Sequence, residues 1–146
     1  RNIPSSSSWS AQVVSLGAAN ACGNDIERKT IQVIVNDECS GAIAITAGLS
    51  PTYSNSGATT SSVWSCAAGG NDVWFVYRPP CAGSVTVDTC TGTNYDSALE
   101  AFGGPCSQLI TLDCNDDSCA LASRVAFPVV GNQNYYLRVG GWQGDQ

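Results

Sequence analysis

The chain has 146 residues, with 12 Asp plus Glu against 6 Lys plus Arg and a formal net charge of −6. That balance excludes a nucleic-acid surface, whose phosphates need clustered basic residues. Histidine is absent, which removes Ser-His-Asp and Cys-His catalysis together with His-ligated zinc and haem.

The chain opens on a polar run, Ser5 to Ser8, too low in complexity to pack. No Asn-x-Ser/Thr sequon occurs, so any glycan is expected to be O-linked. The first strand-like piece is 11–16. A polar stretch, 20–27, separates it from 30–35, Thr-Ile-Gln-Val-Ile-Val. In that second piece Ile31, Val33 and Val35 share one face, and Thr30, Gln32 and Ile34 the other. Residues 1–35 read as a β-prone extension and 36–146 as a compact domain. Within the domain, period-two alternation between turn residues predicts strands over 42–46, 72–77, 84–89, 97–102, 109–113, 124–129 and 135–139. Many short strands of this kind fit an antiparallel β-sandwich. No apolar run approaches the length of a membrane span.

Eight cysteines are present: Cys22, Cys39, Cys66, Cys81, Cys90, Cys106, Cys114 and Cys119. An even number in a short, Lys-poor chain predicts disulfides and an oxidising, extracellular or cell-surface setting. Zinc sites favour Cys-x2-Cys pairs, and the sequence has none. The tight Asn/Asp loop between Cys114 and Cys119 suggests that these two pair. Cys39–Cys66 and Cys90–Cys106 are the next expectations, with Cys22–Cys81 by elimination. Cys22 lies in the extension, so its bond is open to being intermolecular.

From Asn36 onward the order of motifs is distinctive. Asn36-Asp37-Glu38-Cys39 leads to Asn71-Asp72-Val73-Trp74-Phe75-Val76-Tyr77 and Val85-Thr86-Val87-Asp88-Thr89-Cys90. Tyr95-Asp96-Ser97-Ala98-Leu99-Glu100, Leu112-Asp113-Cys114-Asn115-Asp116-Asp117 and Tyr135-Tyr136-Leu137-Arg138-Val139-Gly140-Gly141-Trp142 follow. This order resembles the pre-peptidase C-terminal (PPC) type of β-sandwich, over 36–146. The resemblance implies a jelly-roll-like, non-catalytic module of large secreted bacterial proteins. It also implies a last strand beyond the Gly-Gly-aromatic turn, which 36–146 lacks. The segment 30–35 occupies the place that such a strand takes ahead of the next repeat. The expectation is therefore a sandwich open by one strand, filled by Thr30, Ile31, Gln32, Val33, Ile34 and Val35 of a neighbouring copy. The competing expectation is that 30–35 pairs within its own sandwich.

Two further constellations stand out. Asp96, Asn115, Asp116 and Asp117 are oxygen donors of the kind that calcium takes, although the spacing is not that of an EF-hand and an Asx-type turn fits as well. Trp64, Trp142 and Tyr95 lie in or beside loops, where an aromatic platform would bind carbohydrate. No Glu lies in a glycosidase-like motif. The expected function is a structural subunit of an extracellular filament, built head-to-tail from copies of itself. The alternative is a carbohydrate- or matrix-binding module.

Overall fold

In the computed structural model the described residues are the backbones of Val14–Leu16 and Lys29–Ile31, and residues 34–146. The chain divides into two compact units, Arg1–Ile34 and Val35–Gln146. In the first, β1 (Val14–Leu16) and β2 (Lys29–Ile31) pair antiparallel, Val14 opposite Ile31 and Leu16 opposite Lys29. The second unit is all-β, apart from a 3-10 turn at Cys39–Gly41, and is bonded by disulfides.

Seven strands follow: β3 (Ile43–Ile45), β4 (Gly69–Tyr77), β5 (Gly83–Asp88), β6 (Ser97–Gly103), β7 (Ile110–Asn115), β8 (Arg124–Val129) and β9 (Tyr135–Trp142). They form a five-stranded sheet, β3-β4-β9-β6-β7, and a two-stranded sheet, β5-β8. The strands expected from alternation all have counterparts here. One pairing differs from an antiparallel sandwich, because β3 runs parallel to β4. A parallel neighbour needs a long crossover, and 46–68, which contains no helix or strand, supplies it.

The registers sort the large sheet into two apolar faces. Val73, Phe75, Leu99, Ala101, Tyr135 and Leu137 share one face. They meet Val125, Phe127 and Val129, the buried residues of β8, with the Phe127 and Tyr135 rings 5.7 Å apart. The opposite face carries Trp74, Phe102 and Tyr136, packed with Cys39, Ala42, Cys106 and Leu109 from the loops. Because both faces are covered, 72–75 of β4 and 97–102 of β6 are buried without a break.

Arg138 sits at the centre of that loop-covered face, 1% exposed. Its Nη2 donates to Glu100 Oε2 at 2.5 Å and to the Val63 carbonyl at 3.2 Å, and Nη1 donates to Ser62 Oγ at 2.8 Å. Its guanidinium carbon lies 4.2 Å from the Trp64 ring centre. Asp72, also buried, accepts from Ser61 N at 3.0 Å, Ser61 Oγ at 2.7 Å and Trp74 Nε1 at 3.0 Å. Asp37 accepts from Thr59 N at 2.6 Å. The crossover is thus fastened by charged side chains of the domain. Trp64 fills a slot that glycines create. A Cβ at Gly69 would lie 2.5 Å from its ring and one at Gly140 2.9 Å.

The disulfides are Cys39–Cys106, Cys66–Cys114 and Cys90–Cys119, so the expected Cys114–Cys119, Cys39–Cys66 and Cys90–Cys106 pairs do not form. Strand alternation decides this. Cys114 lies opposite Glu100 and so faces the crossover, where Cys66 meets it. The chain beyond Asn115 turns toward the smaller sheet, where Thr89 N donates to the Ser123 carbonyl at 3.0 Å. That places Cys119 beside Cys90. Cys81 is exposed and has no partner among the described residues, and Cys22 lies outside them.

Glu100→Gln is expected to lower the unfolding free energy, measured by urea denaturation, by about 3–5 kcal/mol, because it leaves a buried guanidinium without its counter-charge. Combined with Arg138→Met, the loss is expected to be smaller than the sum of the two single losses.

Candidate functional site

The two sheets are unequal, and the shortfall has a definite place. Strands sit about 4.8 Å apart, so a two-stranded sheet cannot span the face of a five-stranded one. β8 lies on the β7 side. Asp113 Oδ2 and Asn115 Oδ1 of β7 accept from the N–H groups of Ala126 at 2.7 Å and Arg124 at 3.0 Å. These side chains seal the margin of β8 that faces away from β5. They also fix the pattern of the β5–β8 ladder. If the N–H groups of residues 124 and 126 point away from β5, their partners Asp88 and Thr86 belong to the non-hydrogen-bonded pairs. The N–H and C=O groups of Ser84, Thr86 and Asp88 therefore point to the outer side of β5, which has no strand partner among the described residues.

That edge carries no Pro, and its one charge, Asp88 at the end of the strand, is paired with Arg124 at 3.3 Å. Val85 and Val87 face the core and are only half-buried, whereas their partners Phe127 and Val125 are buried. On the far half of the large sheet Ile43, Ile45 and Tyr77 are also half-buried, and Tyr53 covers Phe75 with its ring edge at 4.9 Å. The other margins are blunted: β3 is three residues long, and β7 lies against β8.

The segment expected to donate a strand is divided. Thr30 and Ile31 belong to β2, opposite Ser15 and Val14 of the same chain. Gln32 and Val33 lie outside the described residues. Ile34 and Val35 are not in a strand, and Val35 occupies a turn. The single strand over 30–35 is thus corrected at its C-terminal end. Asn36 is fastened to β4, its carbonyl accepting from Trp74 N at 2.8 Å and its Nδ2 donating to the Trp74 carbonyl at 3.2 Å. The chain must turn at Val35 to present it.

The carboxylates gather at one corner. Asp96 N donates to Asp145 Oδ2 at 3.2 Å. Asn115 Oδ1 is occupied by Arg124 N, and the Asp116 carbonyl accepts from Ser123 Oγ at 2.8 Å. Among the described residues no group of three or more acidic or cysteine side chains is placed to hold a metal ion. Asp96, Asp116 and Asp117 lie close enough for their charges to act on one another, and Asp116 Oδ1 is buried without a hydrogen-bond partner among the described residues. Partial burial, followed by Asp117 and then Asp145, raises the Asp96 carboxyl above its ordinary value. Partial burial, Asp117 and Asp96 do the same for Asp116. Burial and the Asp145 carboxylate raise the Tyr95 hydroxyl.

Of the three loop aromatics, one is withdrawn from the surface. Trp64 is 6% exposed and lies flat against Arg138, so it presents no ring face. Trp142, at the end of β9, and the half-buried Tyr95 remain. Beside Trp64 an open cleft of about 500 Å³ is lined by Glu38, Ser61, Ser65, Trp74, Thr111 and Arg138 among others. Sequence reasoning did not single out Arg138. Its signal is a charged pair, Glu100 and Arg138, placed mid-strand on the faces that also carry Phe102 and Tyr136.

Comparison with protein-family models, curated proteins and solved structures finds no match.

The acidic corner predicts a pH effect. Asp96 and Asp116 keep their protons to higher pH in the folded chain than in the unfolded one. Their contribution therefore favours folding in acid and is lost as pH rises from about 4 through the raised values. Asp117→Asn removes a charge that acts on both. Its melting temperature should exceed that of the parent at pH 7, and the difference should shrink toward about pH 3.

Proposed function

We propose that this protein is a non-catalytic structural subunit of an extracellular filament or surface fibre. Copies join head-to-tail, the N-terminal unit of one adding strand to the sandwich of the next. The observation that carries the reading is the unpartnered outer edge of β5, with the half-buried Val85 and Val87 beneath it. An added strand takes the outward N–H and C=O groups of Ser84, Thr86 and Asp88 and covers apolar surface, which is how β-strand addition gains affinity.

The N-terminal unit supports the reading from the other side. Its described strands are three residues each. An isolated two-stranded ribbon is marginal at best, and a third strand is what stabilises it. Donor and acceptor lie in different units of one chain, so the contact is heterologous and propagates unless its rotation closes. The three disulfides fit an oxidising compartment, and no helix among the described residues is long and apolar enough to cross a membrane. The resemblance of the motif order to PPC-type modules favours the same non-catalytic, secreted role.

The full chain is expected to form filaments visible by negative-stain microscopy. A chain beginning at Ile34 is expected to fold, with its three disulfides intact, and to sediment as a monomer. Filaments from the shortened chain as abundant as those from the full chain would end the proposal. A monomeric full chain that binds a glycan would favour the carbohydrate-binding module instead.

A further inference from the structure

Six of the eight cysteines are paired within the domain. Of the other two, Cys81 is exposed and has no partner among the described residues, and Cys22 belongs to the N-terminal unit. We infer that Cys81 receives a disulfide from Cys22 of a second copy, sealing a junction in which that copy's N-terminal unit lies along the outer edge of β5. This inference rests on the filament reading and specifies its acceptor.

The position of Cys81 argues for it. It stands two residues ahead of Gly83, where β5 begins. The turn that holds it is fixed, because Asn132 N donates to the Pro79 carbonyl at 2.7 Å. A Cβ at Gly131 would lie 2.9 Å from the Cys81 Cα, so this side of the cysteine is backed by main chain. Cys81 is thus a presented thiol at one end of an open strand edge.

The position of Cys22 fits as well. It lies in the connection between β1 and β2, six residues beyond Leu16 and seven before Lys29. Seven extended residues reach at most about 23–25 Å, and a six-residue strand such as β5 is about 20 Å long. Cys22 therefore lies within reach of Cys81 when the donated strand, β1 or β2, runs so that the connection carrying Cys22 leaves it at the Gly83 end of β5. Gly83 to Val87 carry no charge, and Asp88, at the end of β5 away from Cys81, is paired with Arg124 at 3.3 Å.

The bond forms by thiol–disulfide exchange. The two thiols lose two protons and two electrons and become one disulfide. The co-reactant is an oxidised disulfide of the compartment, a small molecule or an oxidoreductase, which is reduced to two thiols. Docking along β5 comes first, because it raises the effective concentration of one thiol near the other.

The test uses the full chain. Unlabelled and 15N-labelled copies are mixed before assembly and assembled in a glutathione redox buffer. They are then digested without reduction. The expected product is a Cys22–Cys81 disulfide peptide with one half labelled and the other unlabelled. The assembled material should run in hot detergent as a ladder of multiples of 15.1 kDa that reduction collapses to the monomer. Cys81→Ser should still assemble but lose the ladder. Thr86→Pro removes an outward N–H without touching the β5–β8 hydrogen bonds, and should abolish assembly. Filaments in which Cys81 is a free thiol, or bonds only Cys22 of its own copy, would overturn the inference and leave the filament reading standing. Filaments formed undiminished by Thr86→Pro would overturn the inference and also the β5 edge as the acceptor on which the filament reading rests. A full chain that never assembles would overturn both.

Discussion

The guanidinium of Arg138 is the interaction around which the domain is organised. It lies on β9, the central strand of the large sheet, and touches two parts of the chain distant from it in sequence. Glu100 on β6 supplies the counter-charge, Ser62 and Val63 supply oxygens from the crossover, and Trp64 supplies a ring face. A charge so deeply buried is tolerable only with such partners. The partners in turn hold 46–68 against the sheet. Without that segment the loop-covered face of Trp74 and Phe102 would meet water, and β3 would lose the crossover that leads from it into β4. The Cys66–Cys114 disulfide closes the same layer covalently, from the crossover to β7.

With that face covered by loops, apart from the cleft beside Trp64, the asymmetry of the other becomes meaningful. The loops complete the Arg138 side. The β5–β8 side has a sealed margin and an open one. Asp113 and Asn115 act there as substitutes for a strand, supplying acceptors to Arg124 and Ala126 at the spacing of a ladder. Pro128, opposite Ser84, has no N–H to offer on that same margin and fits it for that reason. The smaller sheet can therefore grow only past β5.

Much of this was legible in the residues, and the reasons are specific. Alternation located the strands because each has at least one face against apolar neighbours. It missed the start of β4, because Gly69 and Gly70 carry no side chains to alternate. It missed the role of Arg138 and Glu100, since a charge on the opposite face from Leu137 or Leu99 reads as solvent-facing. Here that face lies under a loop layer that no local pattern announces. The disulfide pairing failed for the same reason: the partner of Cys114 is chosen by the face it points to, not by its distance along the chain. Trp64 was read as a loop aromatic open to sugar, but the glycines at 69 and 140 had made room for its ring against the sheet. The strand over 30–35 was overextended because Asn36, an anchor to β4, looks in sequence like an ordinary turn residue.

Those two glycines bind the history of three positions together. A side chain at 69 or 140 would strike the Trp64 ring, and a small residue at 64 would leave a void over the guanidinium. No single substitution at these sites is neutral, and a side chain at 140 would also strike the Gly70 carbonyl at 2.7 Å, so that position stays glycine whatever stands at 64. In any set of descendants of this chain, Gly69 and Trp64 should be inherited as one block beside an unchanging Gly140, and their joint presence would mark the domain even where the strands between them had diverged beyond recognition.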